Sequence, residues 1–281
     1  MILLNVKMTQ VYQIQELVEG VILKRPSKHC KTPYVADVRL PDGTEVMAHT
    51  AALGCSGHAN AGAFVLMKPV NNSKNVCKYK ILMVKETERE VERIMGIDPK
   101  MAETLAEECL KNNCISSLKE VKSYQREKKL LNSRFDFIGV DKNEQEFVME
   151  VKNVPLADYV DCFAKERKNM DFSDSDMNSK ISYFPDGYRK KKSATVSPRA
   201  LKHIQELQKL KETTDKRCIL CFIIQRSDSS SFQPSNVDPI YQNAVKLAVS
   251  SGVEIITLQI EWNENGIATF IRDDLPINNI K

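Results

Sequence analysis

The feature that most constrains the fold is a pair of apolar runs separated by a short polar segment. The runs are Ser133–Val140 and 146–152, and the five residues between them are all polar or charged. Two runs of strand length joined by a polar turn predict a β-hairpin. Charged residues interrupt the apolar pattern at Asp136, Glu150 and Lys152. A fold that buries this hairpin must accommodate these charges, which makes the hairpin the first candidate for a functional site.

The register of the hairpin decides whether those charges meet. Side chains alternate along a strand, so Glu150 and Lys152 share one face. If the turn is centred on Asn143, opposed residue numbers sum to 286 and Asp136 lies opposite Glu150. Opposed side chains on one face have Cβ atoms about 4.5–5.5 Å apart. This register predicts that the three side chains converge, whereas a slip of one residue would separate them.

Two carboxylates held together in apolar surroundings repel each other, and a bound divalent cation removes that repulsion. An oxygen pair with open coordination positions suits Mg²⁺ or Mn²⁺. Lys152 would then orient or deprotonate a metal-bound water and balance charge on a phosphorane-like transition state. The alternative is an ordinary salt bridge on a hairpin. A second Glu-x-Lys at 120–122 has no carboxylate to pair with it, and we expect it to lie on a solvated strand edge.

The positive charge of the chain is concentrated in one segment. The formal net charge is +4, but residues 189–211 carry +7 and the rest of the chain carries −3. A helix through this segment would place Arg199, Lys202, His203 and Glu206 on one face. A basic face beside a carboxylate–metal site suits a polyanion such as DNA or RNA. A solvated helix face and a nuclear-import cluster are the alternatives.

The remaining pattern predicts two kinds of structure along the chain. Five short strands, expected at 18–24, 34–40, 45–49, 63–68 and 78–84, predict a small barrel or sheet. From residue 99 the expected order is α-β-β-β-α-β, followed by one more helix and two strands. The helices are expected at 99–112, 198–211 and 238–250, and the strands at 118–125, Ser133–Val140, 146–152, 218–226, 253–262 and 267–272. The polar segment 165–182 is interpreted as a mobile insertion loop.

Composition excludes several classes of protein. The longest apolar runs, such as 219–224, are far shorter than the roughly 20 residues of a membrane span, and no secretory signal is visible. We therefore expect a cytoplasmic or nuclear protein with reduced cysteines, rather than a secreted or membrane protein. Cys218 and Cys221 have metal-like spacing, but residues three apart on a strand point to opposite faces, which argues against a zinc site.

In several stretches the chain resembles the sugar fermentation stimulation protein (SfsA) family. The resemblance is most specific where SRFDF is followed by EFVMEVKNVPL, and then by YFPDG and a Lys-His pair. The matching stretches run in order along the chain, at 19–25, 34–43, 48–49, 105–118, 133–137, 146–156, 183–187, 200–207, 223–241 and 252–255.

This resemblance implies a mixed α+β protein of two domains. An OB-like β-barrel that binds nucleic acid would occupy 1–86, and a PD-(D/E)xK restriction-endonuclease-like α/β domain would occupy 87–281, with 165–182 as its insertion. By similarity, Asp136 and Glu150 bind the metal and Lys152 completes the catalytic set. Glu108 would assist from the preceding helix, with Glu107 as a rival, and Gln225 would be a polar active-site residue.

The function implied is that of a DNA-binding nuclease that hydrolyses phosphodiester bonds with Mg²⁺ or Mn²⁺, with DNA favoured over RNA. The alternative is a DNA-binding regulator that keeps the nuclease fold without catalysis. The expected nucleic-acid contacts are basic or imidazole side chains, namely Lys24, Arg25, Arg199, Lys202, His203 and Arg226. The chain departs from the family pattern at Phe135, where the superfamily has Pro, at 51–54, and at 200–201, where the Gly expected before Lys-His is displaced.

Overall fold

The computed structural model describes residues 8–50, 58–71, 74–185 and 196–280. Within these ranges the chain forms 16 strands and four helices. The helices are α1 Pro99–Lys111, α2 Ala164–Arg167, α3 Pro198–Thr213 and α4 Pro239–Ser250. The strands outside the barrel are β1 Thr9–Gln13, β7 Val91–Gly96, β8 Ser123–Leu130, β9 Ser133–Val140, β10 Glu146–Val154, β11 Ala157–Asp158, β12 Lys180–Phe184, β13 Arg217–Ile224, β14 Ser229–Pro234, β15 Glu254–Trp262 and β16 Ile267–Arg272.

The N-terminal part is a closed five-stranded barrel. Its strands are β2 Val18–Lys24, β3 Val35–Arg39, β4 Glu45–Thr50, β5 Phe64–Pro69 and β6 Tyr79–Glu88. The order is β4-β3-β2-β5-β6, and a parallel pairing between β4 and β6 closes the circle. Alternate apolar side chains fill the interior, so no strand of the barrel is left with an unpaired edge. All five predicted strands are confirmed, although β6 runs on past its predicted end.

The C-terminal part is a mixed sheet covered on both faces by helices. From the barrel the order continues through β7, β15, β13, β10, β9 and β8. The three strands β10, β13 and β15 are parallel to one another, whereas β8, β9 and β10 are antiparallel neighbours. The core on one face includes α1, and the core on the other includes α3 and α4. The mixed α+β class, with a barrel followed by an α/β domain, is therefore confirmed.

The three long helices begin where the sequence signals predict. Asp98, Ser197 and Asp238 each precede a proline, and each caps its helix by accepting a backbone N–H. The distances to the capping oxygens are 3.4, 3.3 and 3.0 Å respectively. A side-chain acceptor followed by a residue without an N–H satisfies the first turn of a helix.

Strands with weak apolar alternation were not predicted. β1 pairs with β16, and β11, β12 and β14 form a separate three-stranded sheet. The strand expected at 118–125 begins later, at Ser123, and runs to Leu130. These strands are short or polar, so periodicity carries little signal for them, and their pairing depends on tertiary neighbours.

The polar segment 165–182 is not a free loop in this structure. It contains the end of α2 and the start of β12. Arg89, at the tip of the β6–β7 hairpin, donates hydrogen bonds to the carbonyl oxygens of Phe172 and Ser175, the latter at 2.6 Å. Phe172 also stacks on Tyr159 with ring centroids 5.2 Å apart. The prediction of a mobile insertion therefore missed the contacts that hold this segment against the β6–β7 hairpin.

Three other observations bear on the sequence predictions. Cys218 packs in the core beside α3 and Cys221 in the core beside α1, so the two thiols point to opposite faces as expected. The boundary proposed at residue 86 falls inside β6. Among the described residues, no helix is long and apolar enough to cross a membrane.

Candidate active site

The β9–β10 hairpin has the predicted register. Glu146 pairs with Val140 and Met149 with Phe137, as expected for a turn centred on Asn143. The backbone ladder then ends before Asp136. Its place is taken by the Asp136 side chain, whose Oδ2 accepts a hydrogen bond from the backbone N–H of Val151 at 2.7 Å. The Asp136 carboxylate is thereby fixed against the strand that carries Glu150.

Glu150 is the buried centre of the cluster. Only 2% of its surface is exposed. Its Oε1 accepts hydrogen bonds from Nζ of Lys152 and from Nδ1 of His203, which lies on α3. Because a carboxylate oxygen can only accept, Nδ1 of His203 carries a proton in this arrangement. The other oxygen, Oε2, is buried and has no hydrogen-bond partner in the described part of the chain.

The two carboxylates have opposite electrostatic environments. Burial and the neighbouring Glu150 charge raise the pKa of Asp136 to about 7. Burial also opposes charge on Glu150, but the hydrogen bond from His203 and the charge of Lys152 outweigh it and hold the pKa of Glu150 below its usual range. In the protein without a bound cation, Glu150 is thus ionised at neutral pH while Asp136 is partly protonated.

The donor set fits a hard divalent cation. Each carboxylate has one oxygen bound within the protein and one, Oδ1 of Asp136 and Oε2 of Glu150, with no hydrogen-bond partner among the described residues. A buried carboxylate oxygen without a partner is costly unless a cation or water occupies the space beside it. Within the described ranges, His, Cys, Asp and Glu side chains do not form a group of three around one point. A cation held by these two carboxylates alone would leave its further coordination positions to water and substrate oxygens, as is usual for Mg²⁺.

Helix α1 presents its acidic residues differently from the prediction. Glu108 pairs with Lys111 on the same helix at 2.8 Å. Glu107 accepts hydrogen bonds from Tyr124 and Arg126 on β8, at 2.9 and 2.7 Å. The acid of this helix that raises the pKa of Asp136 is Glu103. The sequence could have indicated Glu103 as a further candidate, because it lies one helical turn before Glu107 and on the same face of α1.

Gln225 is not brought to the carboxylate cluster. It is fully buried directly after β13, donates to Oδ1 of Asn153 at 2.6 Å and accepts from Nε1 of Trp262 at 2.9 Å. Ile223, two residues earlier, packs in the core beside α1, whereas Val148, two residues before Glu150, packs in the core beside α3. Since side chains alternate along a strand, Gln225 and Glu150 lie on opposite faces of the sheet.

Two of the residues expected to contact nucleic acid are buried. His203 is 5% exposed and faces Glu150, so it does not share an exposed face with Arg199 and Lys202 as predicted. Arg226 is 1% exposed and makes two hydrogen bonds to Asp228, at 2.6 and 2.7 Å. In this structure each of the two side chains instead satisfies a buried carboxylate.

The other predicted contacts remain on the surface. Lys24, Arg199 and Lys202 are exposed, and Lys202 donates to the carbonyl oxygen of Asn132 at 2.7 Å. Arg25 is half-buried, and its Nε donates to the carbonyl oxygen of Pro33 at 2.8 Å. One of its N–H groups therefore binds the loop between β2 and β3. The basic run 189–192 and the altered family motif at 51–54 lie outside the described residues.

Arg226 belongs to a polar cluster between the barrel and the C-terminal domain. Asp228 also pairs with Lys180 at 3.0 Å, and Lys180 pairs with Glu88 of the barrel at 2.6 Å. Burial favours the neutral acid, but the hydrogen bonds and charge of Arg226 keep the pKa of Asp228 far below its usual range. Beside this cluster lies a cavity of about 280 Å³. The cluster joins the two parts of the chain through buried charge pairs.

A carboxylate facing a Glu-x-Lys strand, in a mixed sheet covered by helices, places the C-terminal domain in the restriction-endonuclease-like class. The comparison of sequences agrees, since residues 100–266 match the family model described as "Sugar fermentation stimulation protein RE domain". The chain belongs to the sugar fermentation stimulation protein family, as its motifs predicted. The chain is 30% identical to a homologue from Maricaulis maris over 255 residues, which cover 90% of this chain and 93% of that protein.

Two further relatives show the similarity over more than nine-tenths of the chain. A homologue from Alteromonas mediterranea is 29% identical over 269 residues, covering 93% of this chain and 97% of its own length. The solved structure of Pyrococcus furiosus SfsA in complex with Ca²⁺ is 20% identical and superposes with a TM-score of 0.75, covering 96% of this chain and 99% of that one. The similarity of structure shows that both parts of the fold, barrel and α/β domain, are shared.

Proposed function

We propose that this protein is a metal-dependent nuclease that hydrolyses phosphodiester bonds in DNA. The observation that carries the proposal is the pair of carboxylates on β9 and β10. Asp136 is bound to the backbone beside Glu150 and is influenced by its charge, and Lys152 donates to Glu150. Each carboxylate retains one oxygen without a partner among the described residues. An ordinary hairpin salt bridge leaves the buried, unsatisfied oxygen of Glu150 unexplained.

The cofactor we propose is Mg²⁺ or Mn²⁺, held by Oδ1 of Asp136 and Oε2 of Glu150. The Pyrococcus furiosus relative, solved with Ca²⁺, supports a divalent cation as the ligand of this family. A bound cation would supply positive charge to the phosphodiester and lower the pKa of water at the site. Glu103 and Glu108 of α1 are candidates for outer contacts through water, with Glu103 favoured by its influence on Asp136.

The remaining side chains have distinct roles in this proposal. Lys152 would lie close to the reacting phosphate, because Glu150 holds its Nζ beside the proposed cation site. Its positive charge would stabilise the charge that develops on the phosphate oxygens. His203 holds Oε1 of Glu150 and so orients the other oxygen of that carboxylate. Val151 does the same for Asp136 through its backbone N–H.

DNA is the proposed substrate because exposed basic side chains remain around the site. Arg199 and Lys202 lie on the first turns of α3, the helix that carries His203. The barrel offers Lys24 as a further exposed contact. Phosphate contacts of this kind supply most of the affinity of a protein for nucleic acid, without reading its sequence.

The proposal is tested by incubating labelled single-stranded and double-stranded DNA and RNA with the protein and Mg²⁺ or Mn²⁺. We expect cleavage of DNA that EDTA abolishes. The variants Asp136→Asn, Glu150→Gln and Lys152→Ala should each lose at least about a hundredfold in rate, as expected when a group that stabilises a transition state is removed.

The chain offers a matched control in its second Glu-x-Lys. Glu120 and Lys122 form exposed ion pairs with Lys142 and Glu144. Glu120→Gln and Lys122→Ala should therefore leave cleavage unchanged. Equal cleavage by the wild type and the three site variants would refute the proposed site. Salt-sensitive DNA binding without cleavage of any substrate would refute catalysis and favour the regulatory protein.

A further inference from the structure

The loop between β8 and β9 combines an exposed apolar residue with a concentration of positive charge. Strand β8 is the last strand of the large sheet, so this hairpin forms one end of it. The loop residue Leu131 is 41% exposed and has a φ of 52°, in the left-handed region. A leucine in that conformation is strained by roughly 1–2 kcal/mol, and two-fifths of its surface still remains exposed to solvent. Gly or Asn adopts this conformation more readily, so the backbone geometry of the loop does not itself call for a leucine.

Basic side chains surround Leu131 on both strands. Lys128 and Lys129 on β8 are exposed and have no ion-pair partner among the described residues. Arg134 on β9 is 65% exposed, and its 3.2 Å contact with Glu127 is an exposed pair worth little energy. These three side chains can therefore exchange water for phosphate oxygens at small cost.

The hairpin is attached to the proposed active site by two contacts. Lys202 of α3 donates to the carbonyl oxygen of Asn132, next to Leu131, at 2.7 Å. The ring of Phe135 lies 6.2 Å, between centroids, from the ring of His203, which holds Glu150. Asp136 follows Phe135 directly. The basic start of α3 thus contacts the hairpin tip directly, and the buried rings of Phe135 and His203 link the hairpin to the carboxylate pair.

We propose that this hairpin tip is a DNA-contacting element, in which Lys129 and Arg134 bind backbone phosphates and Leu131 inserts against the bases beside the cleavage site. Apolar side chains inserted at a base step partly unstack it, and flanking cations hold the distorted backbone. The substrate class favoured is therefore DNA with a weakened or unpaired base step near the scissile bond. The inference rests on the proposed function for the location of that bond, but the insertion itself requires no cleavage.

The test uses duplex DNA that carries 2-aminopurine, either fully paired or opposite a mismatch, mixed with the full-length protein in EDTA. We expect wild-type protein to increase the 2-aminopurine fluorescence and to bind the mismatched duplex more tightly. Leu131→Asn keeps a residue that tolerates the left-handed conformation and removes the apolar side chain. This variant should lose the fluorescence increase and bind the mismatched duplex about tenfold more weakly, in line with the energy of one base contact.

Two control variants match these changes. Leu247→Asn alters a leucine that is 52% exposed on α4 and should leave the fluorescence increase intact. Lys129→Gln with Arg134→Gln should reduce the slope of log affinity against log salt by about 1.8, that is, 0.9 per phosphate contact. Lys142→Gln, at the opposite end of β9 and therefore roughly 20 Å from Arg134, should leave the slope unchanged.

The outcomes distinguish this inference from the proposed nuclease activity. A fluorescence increase and salt slope that survive the hairpin substitutions would overturn the inference, even if the wild type cleaves DNA. Loss of both by the hairpin variants, with retention by the controls, would establish the contact even if no substrate were cleaved. Thermal unfolding of each variant identifies any that fail to fold, and Lys129→Gln alone then replaces the double variant.

Discussion

The backbone N–H of Val151 donates to Oδ2 of Asp136 at 2.7 Å, so a side chain completes the strand pairing where the backbone of β9 stops doing so. The same strand holds Glu150 and Lys152 on either side of Val151. Movement of β10 would therefore carry all three charged groups together. The geometry of the carboxylate pair depends on one strand rather than on two independently placed elements.

The raised pKa of Asp136 has a measurable consequence for stability. Its folded-state pKa is about 7 against an ordinary value of 3.8, so the folded protein retains a proton that the unfolded chain loses first. Its contribution to the free energy of unfolding should fall as pH rises from 4 to 7. Asp136→Asn removes this pH dependence. The free energy of unfolding of the variant, relative to that of the wild type, should therefore rise by up to about 3 kcal/mol between pH 5 and pH 8, at about 1.36 kcal/mol per pKa unit.

Urea unfolding of both proteins at the two pH values, without divalent cations, measures this difference. A gain that is the same at pH 5 and pH 8 would contradict the raised pKa. Mn²⁺ affinity of the wild type should increase over the same range, because the metal binds the ionised carboxylate and competes with the proton.

His203 should act by holding Glu150 rather than by binding DNA. His203→Ala removes a hydrogen bond to a charged group, worth about 1.5–3 kcal/mol, and should slow cleavage roughly tenfold to a hundredfold. His203→Asn places an amide N–H near the position of Nδ1 and should restore part of the rate. The salt dependence of DNA binding should stay at the wild-type value in both variants. A reduced salt slope with unchanged cleavage would instead support a phosphate contact.

Arg226 should matter for folding and not for DNA affinity. Arg226→Met leaves the buried Asp228 with one partner fewer, and breaking such a pair costs about 3–5 kcal/mol. The expected result is a lower midpoint of urea unfolding, with unchanged DNA affinity at a temperature where both proteins are folded. Arg199→Gln is the reverse control, since Arg199 is exposed: it should weaken DNA binding and leave the unfolding midpoint near that of wild type. The opposite pattern in either variant would contradict the placement of these arginines.

The close approach of β7 to Gln225 predicts a specific coupling. A Cβ at Gly96 would lie 1.9 Å from Oε1 of Gln225 and 2.7 Å from Nε1 of Trp262. Gly96→Ala should therefore destabilise the protein by about 1–3 kcal/mol through overpacking. Gln225→Ala should relieve part of that loss in the double variant. Strictly additive changes in the free energy of unfolding would show that the two sites do not interact.

Sequence patterns predicted the hairpin well because two strong constraints coincide there. The polar turn fixes the register, and the apolar residues around Asp136 and Glu150 fix which face is buried. The capped helices were equally predictable, since a capping side chain followed by proline is a local signal. The five barrel strands also have regular alternation, which explains why their limits came within a few residues.

The partners of His203 and Arg226 could not be predicted in the same way. Both lie in segments with basic neighbours, and a count of charges cannot distinguish a side chain that faces solvent from one that faces a buried carboxylate. Glu150 and His203 are 53 residues apart in sequence. Their contact depends on how α3 packs on the sheet, and local periodicity does not specify that packing.

The pairing of β1 with β16 joins the beginning of the described chain to its end. Thr9–Gln13 precedes the barrel, yet its backbone hydrogen bonds belong to the sheet of the C-terminal part. A fragment cut at residue 86 would strip β16 of that partner and leave an open strand edge, a known route to aggregation. Expression of the nuclease-like part alone would therefore require the first strand to be fused to it, because that strand completes the C-terminal sheet.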